Sequence, residues 1–353
     1  MKTPVTFALV GAGGIAQSYA QAFASHPRAQ LVAVVDPRFE AAEAMAKSLD
    51  CSAFRSVQEL LNQAQLPEAV VVSTPPNTHE EIVTQFLRRG VHVWCEKPFA
   101  LSCDSAHRMI QAAREANRII TMASKFRYVE DIIEAKKMID SGEIGELKQV
   151  ENTFASRVDM SGRWNSNPEM SGGGVIMDNG THSVDLMRYF LGSLREMLAL
   201  EAKREQSPRV EDTARLFVRS KQETIGSIDL SWNMQKETEW FLTIYGSLGT
   251  IQIGWKQSRY KTHARPEWIV YGQGYNKLQA FQNQLSNFAG AIREDEPLRV
   301  TDCDAVASVE AIEAAYLSLR ASRWAALQPR LANLTTTPLP IEHVPSKREV
   351  SRA

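Results

Sequence analysis

The sequence predicts an α/β protein in two parts: a doubly wound parallel sheet, then an α+β domain built on a mainly antiparallel sheet. Three observations predict this. From residue 5 to about 123, short apolar or β-branched runs alternate with longer helical patterns. Beyond residue 123, strand-like runs follow one another across Gly and polar turns with few helices between them. The length of 353 residues also exceeds the size at which one hydrophobic core keeps growing, so two domains are the default.

In the first part the strands are predicted at 6–10, 31–35, 69–73, 91–95 and 119–123. Between them, 15–25, 39–48, 57–62, 80–89 and 102–117 carry Ala, Gln, Glu and Arg at helical spacing. Such alternation puts parallel strands in one sheet with helices over both faces. Right-handed crossovers then narrow the topology to a doubly wound sheet. In the second part a helix is predicted over 129–141, stopped by the Gly142 and Gly145 turns, and a strand over 147–156. A helix at 175–191 ends at Gly192, and strands follow at 197–202, 213–218, 223–233, 240–245 and 250–254. Helices return at 280–293 and 304–324. The division is therefore 1–123, 124–330 and an extended tail over 331–353, where Pro, Thr and charged residues collect.

Composition excludes several classes. Hydrophobic residues make up 44% and charged residues 23%, as in ordinary globular proteins. Forty Lys+Arg against 41 Asp+Glu leave a net charge of −1, which gives no electrostatic reason to expect nucleic acid or an anionic membrane as partner. Cys51, Cys95, Cys103 and Cys303 form no C-x-x-C pair. They read as reduced thiols of a cytoplasmic protein without a zinc site. The apolar run Phe7-Ala8-Leu9-Val10 has the look of a signal segment, but glycines interrupt it. No stretch approaches the ~18 consecutive apolar residues that span a bilayer.

Gly11-Ala12-Gly13-Gly14-Ile15-Ala16 directly follows the first strand and opens the first helix, fitting G-x-G-x-x-A. Gly11 permits the tight turn, Gly13 lets the backbone approach a pyrophosphate, and Ala16 keeps the helix close to the sheet. The helix N-terminus, from Gly14 and Ile15 onward, favours negative charge. Twenty positions past Ala16, Asp36 ends the second strand. A carboxylate there accepts hydrogen bonds from an adenosine ribose and repels a 2′-phosphate, favouring NAD. Arg38 leaves NADP open as a phosphate partner.

Ligands of an open parallel sheet sit beyond the carboxyl ends of its strands. Strand 91–95 runs into Glu96-Lys97-Pro98, which places Lys97 beside a bound nicotinamide. Pro98 disfavours helical geometry at Lys97, so the ammonium is held in an extended turn, able to polarise a carbonyl oxygen. At the end of strand 69–73 come Thr74, Pro75, Asn77 and His79. Asn77 and His79 either touch the cofactor or cap the next helix.

Asp178, His182 and Asp185 fall at i, i+4 and i+7 after Gly172-Gly173-Gly174, along one stripe of a helix. Met177, Val184, Met187 and Leu191 form the neighbouring apolar stripe. This border position suits a carboxylate orienting an imidazole that exchanges a proton with a substrate hydroxyl. A solvated polar face is the bland alternative. A metal site on these three residues lacks any supporting His or Cys pair.

With these residues assembled, the chain resembles the Gfo/Idh/MocA family of oxidoreductases over about residues 3–325. The resemblance rests on Gly11-Ala12-Gly13-Gly14-Ile15-Ala16, on Glu96-Lys97-Pro98, and on Asp178-x-Gly180-x-His182-x-x-Asp185 after a glycine run. Phe126-Arg127-Tyr128 and Gly142-Glu143-Ile144-Gly145 look like further family features. It implies a Rossmann domain plus an α/β domain whose large open sheet makes homodimer or homotetramer contacts. It also implies catalysis by Lys97, Asp178 and His182, with His182 the base on the reacting hydroxyl. Lys97 would hydrogen-bond that oxygen, and Asp178 would orient the substrate or His182. Glu96 joins the cofactor-binding residues on the same ground. For the substrate, Arg127, Arg157, Arg163, Trp164, Asn165 and Asn179 are the candidates. Trp164 suits stacking on a sugar face, and an arginine suits a phosphate, nucleotide or carboxylate.

The function so implied is NAD(H)-linked interconversion of hydroxyl and ketone on a sugar, sugar nucleotide or cyclitol. Two alternatives stand beside it: glycoside cleavage through transient oxidation and elimination, and a non-catalytic regulator that binds dinucleotide.

Overall fold

The computed structural model describes residues 3–24, 26–206, 209–236 and 238–327. The 331–353 tail lies outside the described residues. The chain builds two sheets. The first is parallel and uses β1 (Val5–Val10), β2 (Ala29–Val35), β3 (Ser52–Phe54), β4 (Ala69–Val72), β5 (His92–Cys95) and β6 (Ile120–Met122) in the order β3-β2-β1-β4-β5-β6. That order is the doubly wound arrangement, with its switch point between β1 and β4. Its helices are α1 (Gly14–Phe23), α2 (Phe39–Ser48), α3 (Val57–Leu61), α4 (His79–Arg88) and α5 (Cys103–Glu115). Strand β3 escapes the sequence pattern because Ser-Ala-Phe is three residues long, sits at the sheet edge and carries no β-branched run.

A short 3-10 turn (Lys125–Tyr128) leads into the second part, with α6 (Glu130–Asp140), β7 (Leu147–Ala155), α7 (Pro168–Ser171), α8 (Val175–Leu191), β8 (Leu194–Glu201), β9 (Thr213–Ser220) and β10 (Ile225–Ser231). There follow β11 (Trp240–Gly246), β12 (Gly249–Gly254), β13 (Ser258–Thr262), β14 (Ile269–Gly272), α9 (Lys277–Ile292), α10 (Asp302–Ala321) and β15 (Ala325–Ala326). The nine strands run β14-β13-β12-β11-β7-β10-β9-β8-β15, antiparallel except for the β7–β10 pair. Strands β13 and β14 were not expected, since Arg259, Lys261 and Tyr260 mask the alternation that marks a half-buried strand. Helix α9 begins three residues before the predicted start because the Asn276 side chain accepts from the Gln279 N–H at 3.1 Å and caps it.

A boundary at residue 124 separates the sheets but not the helices. Phe281, Leu285 and Phe288 of α9 join Phe7, Tyr19 and Trp94 in the core on one face of the parallel sheet. Ala305 and Val309 of α10 join the core on the other face. The C-terminal helices thus fix the two sheets against each other and shape the cleft between them.

The interior also holds an ion cluster. Arg127 donates to Asp185 at 2.9 and 2.6 Å and to Asp304 at 3.2 Å, with Arg127 and Asp185 side chains 6% and 3% exposed. Removing one partner of such a pair strands a buried charge. Arg127→Met is therefore expected to cost about 3 kcal/mol of unfolding free energy. Denaturant midpoints of the variant and of the Arg127→Met/Asp185→Asn pair check this: the double variant should be the less damaged one.

Candidate active site

The two parts enclose a cleft of about 1700 Å³. On its nucleotide side, Gly11 adopts φ +98°, and a Cβ there would stand 2.9 Å from the Ser73 carbonyl. Only glycine tolerates both conditions. Gly13 N-caps α1 without any side-chain cap, and space opens around Gly13 and Gly14. The first N–H groups of α1 are thereby left for a ligand. Ala16 is fully buried under the helix.

Asp36 sits at the floor of this half. Its carboxylate accepts from the Ala12 N–H at 2.7 Å, the Arg38 N–H at 2.9 Å and the Arg38 Nε at 3.2 Å. Burial pushes its pKa up, but hydrogen bonds from Arg38 and the Ala12 N–H outweigh this and hold it below the ordinary value. Asp36 is thus an anion, and Arg38, whose side chain is 69% exposed, is tethered to it. Asp36→Ser should weaken NAD by about tenfold and strengthen NADP by a similar factor, since it removes the repulsion and frees Arg38. Titrating both cofactors checks this; an unchanged NAD/NADP ratio would refute the role.

Strand β5 delivers Glu96 and Lys97, and the Lys97–Pro98 peptide is cis. Glu96 accepts from the Tyr19 hydroxyl at 2.6 Å and the Lys97 N–H at 2.9 Å. Burial raises its pKa. The Lys97 ammonium crosses the cleft to Asp178, donating to its Oδ1 at 2.5 Å and to its backbone oxygen at 3.2 Å. Asp178 therefore holds Lys97. Among the described residues it shares no hydrogen bond with His182, the partner that the common stripe suggested.

His182 lines the cleft one turn on, its ring edge-on to Phe126 at 5.2 Å. Burial, then the charges of Lys97 and Lys125, push its pKa well below the usual imidazole value. It is neutral, with no hydrogen-bond partner among the described residues. The helix that carries Asp178 and His182 lacks a cap of its own. Glu211 supplies one from the chain before β9, its Oε1 accepting from the Gly174 and Ile176 N–H groups at 3.0 Å each and from the Tyr316 hydroxyl at 2.8 Å. A Cβ at Gly174 would collide with the Glu211 backbone oxygen. This close approach accounts for Gly174, while a Cβ at Gly173 would collide with the Tyr316 hydroxyl and Gly172 takes φ +77°.

Of the other candidates, Gly11, Gly13, Gly14, Ile15, Asp36, Arg38, Thr74, Pro75 and Glu96 line the cleft. So do Arg157, Arg163, Trp164, Asn165 and Asn179. Three candidates do not. Arg127 points into the interior ion cluster, because its carboxylate partners on α8 and α10 lie there. His79 is fully buried, its Nδ1 3.1 Å from the Pro98 oxygen and its Nε2 2.9 Å from the Thr74 oxygen, so it braces two loops. Asn77 is exposed on the 3-10 turn before α4, outside the cleft wall. Asp185, on the same helical stripe as His182, is spent on Arg127.

The structure also adds residues that carry no motif. Tyr19, Lys125, Tyr275 and Gln284 line the cleft. The side-chain carbonyl oxygen of Gln284 is buried with no hydrogen-bond partner among the described residues, while its amide donates to the Met122 oxygen at 3.2 Å. The described residues contain no group of three or more His, Cys, Asp or Glu placed to hold a metal ion, and no helix among them is long and apolar enough to cross a membrane.

Comparison with known proteins gives the family. Residues 5–124 match the oxidoreductase family with an NAD-binding Rossmann fold, and 132–252 match the Gfo/Idh/MocA C-terminal domain. The chain is 34% identical over 168 residues to an uncharacterized oxidoreductase of Schizosaccharomyces pombe, a match that covers 47% of this chain and 45% of that protein. It spans less than half of that relative's length. It is 26% identical over 343 residues to the inositol 2-dehydrogenase of Rhizobium meliloti, covering 90% of this chain and 98% of that one. A levoglucosan dehydrogenase solved with NADH and levoglucosan superposes with a TM-score of 0.85 at 19% identity, over 92% of this chain and 100% of that chain. With both of its domains matched in order, the chain belongs to the Gfo/Idh/MocA oxidoreductase family, and its N-terminal part is that family's NAD-binding Rossmann domain.

Proposed function

We propose that the chain catalyses reversible oxidation of a secondary hydroxyl to a ketone on a sugar, sugar nucleotide or cyclitol, with NAD as hydride acceptor. One observation carries this reading: Lys97 and Asp178 meet at 2.5 Å across the cleft, with His182 on the same wall one turn further along α8. The rest of the cleft fits a dinucleotide. An open helix N-terminus awaits a pyrophosphate, the Asp36 carboxylate suits a ribose, and the orphaned Gln284 oxygen suits an amide donor such as the nicotinamide carboxamide.

A bound nicotinamide supplies the acceptor for the hydride leaving the carbon. The chain's own residues manage the proton and the charge. Neutral His182 takes the hydroxyl proton. The Lys97 ammonium donates to the same oxygen as it becomes a carbonyl, and Asp178 fixes that ammonium in place. Named relatives acting on inositol and levoglucosan support a polyhydroxylated ring as the substrate class.

We further propose that the face of the nine-stranded sheet bearing Phe217, Ile225 and Tyr245 packs copies of the chain into a dimer or tetramer; Ile225 and Tyr245 are exposed. Light scattering after gel filtration tests this. Cys51, Cys95, Cys103 and Cys303, none of them in a disulfide among the described residues, support a cytoplasmic protein.

The functional test is a redox screen of sugars, cyclitols and nucleotide sugars with NAD and NADP, read at the reduced-nicotinamide absorbance. Growth of that band with at least one compound is expected. Bond cleavage without net NADH, or tight NAD binding with no turnover anywhere in the screen, would overturn the reading.

A further inference from the structure

Lys125 opens the 3-10 turn after β6 and lines the substrate half of the cleft. Its ammonium lies 5.3 Å from the ring centroid of Phe126 and 5.6 Å from that of Tyr275, two rings stacked at 5.1 Å. Among the described residues no carboxylate or carbonyl oxygen accepts a hydrogen bond from it. The carboxylates nearby are committed: Asp178 to Lys97, and Glu96 to Tyr19 and the Lys97 N–H.

The Tyr275 hydroxyl is a second, independent sign. It is buried and has no hydrogen-bond partner among the described residues. Both residues line the cleft, and among the described residues neither the ammonium nor the hydroxyl finds an acceptor. Leaving such groups dry costs free energy that a ligand would restore. The surrounding charge points the same way. Lys97, Lys125, Arg157 and Arg163 line this half of the cleft beside the lining carboxylates Glu96 and Asp178, while Asp159 lies near Arg163 and Lys236 is paired with Asp229 at 2.5 Å.

We propose that Lys125 and Tyr275 form an anion-anchoring subsite that binds the carboxylate or phosphate of an acidic sugar substrate. The proposal rests on the reading above that the cleft holds a sugar-like ring. The ring faces of Phe126 and Tyr275 keep the ammonium charged in a partly dry place. An anion of matched geometry then completes its coordination and the hydroxyl's. Burial, and next the charge of Lys97, bring the Lys125 pKa down to about 8, with Lys277 acting the same way and Glu96 and Asp178 opposing. Neutral His182 adds no charge. The anchoring therefore weakens above pH 8 as free Lys125 loses its proton.

The test titrates the full-length protein, saturated with NADH, with matched neutral and acidic sugars, following NADH fluorescence. The probes are D-glucose, D-glucuronate and D-glucose 6-phosphate, and the corresponding galactose set. In at least one set the acidic member should bind about tenfold or more tightly than the neutral one at pH 7. The uronate and phosphate arms show which anion the site takes. Lys125→Met should bring the ratio to within about threefold of one, Lys125→Arg should restore part of it, and Tyr275→Phe should reduce it while keeping the stacked rings. Neutral sugars binding as well as acidic ones, a preference that survives Lys125→Met, or no binding by any probe would overturn the proposal. NADH fluorescence needs no turnover, so a failed redox screen beside a clear anion preference would sink the oxidoreductase reading alone.

Discussion

Lys97→Met is expected to lower kcat by about 10³-fold, roughly 4 kcal/mol of transition-state stabilisation. Two losses combine. The reacting oxygen loses the ammonium that would donate to it, and the Asp178 carboxylate, 23% exposed and bonded to Lys97 at 2.5 Å, is left without its cation. The dissociation constant for NAD should stay within about threefold, because the phosphate loop and Asp36 carry cofactor affinity at the other end of the cleft. Stopped-flow measurement of hydride transfer, with NAD binding measured separately, checks both parts. A fall of less than about tenfold would remove Lys97 from the chemistry. The Lys97→Met/Asp178→Asn double variant should be little worse than Lys97→Met alone, since the two residues act as one unit.

His182→Ala is expected to cut kcat for oxidation by about 10²–10³-fold, the usual worth of a positioned general base. The pH profile is the sharper test. An ordinary imidazole titrates near 6.5 and would give a rate that rises through that pH. Burial and the charges of Lys97 and Lys125 hold the folded-state pKa of His182 well below this. The base is then already unprotonated, and kcat/KM for oxidation should stay level as pH falls from 8 to about 6, declining only in stronger acid. Removing the positive charge in Lys97→Met should move the acid limb upward toward neutrality. An acid limb near pH 6.5 in the unaltered protein would contradict the assignment.

The legible parts of this molecule are those whose chemistry sits within a few consecutive residues. Gly11, Gly13, Ala16 and Asp36 fall on a local strand–turn–helix unit, and Glu96-Lys97-Pro98 follows a strand whose exit direction the parallel sheet dictates. The bounds of α8 match the expected 175–191 because the glycine run and Gly192 punctuate a strong apolar stripe. Faces were harder. Asp185 shares the stripe of His182, yet three residues along a helix leave it about 60° around the axis, so His182 meets the cleft while Asp185 meets Arg127 inside. His79 and Arg127, polar residues beside a motif, read as ligand contacts until their buried partners were visible.

The sequence alone determined most of the order of elements and the dinucleotide loop, since these depend on local geometry and periodicity, while Lys97, Asp178 and His182 were brought together as candidates by the family resemblance. Only the tertiary structure decided which of them touch. The Lys97–Asp178 bond joins residues 81 positions apart, and Lys125 meets Tyr275 because separate elements bring a turn and a loop to one wall. Such contacts depend on how two domains close on each other, and no periodicity along the chain encodes that closure.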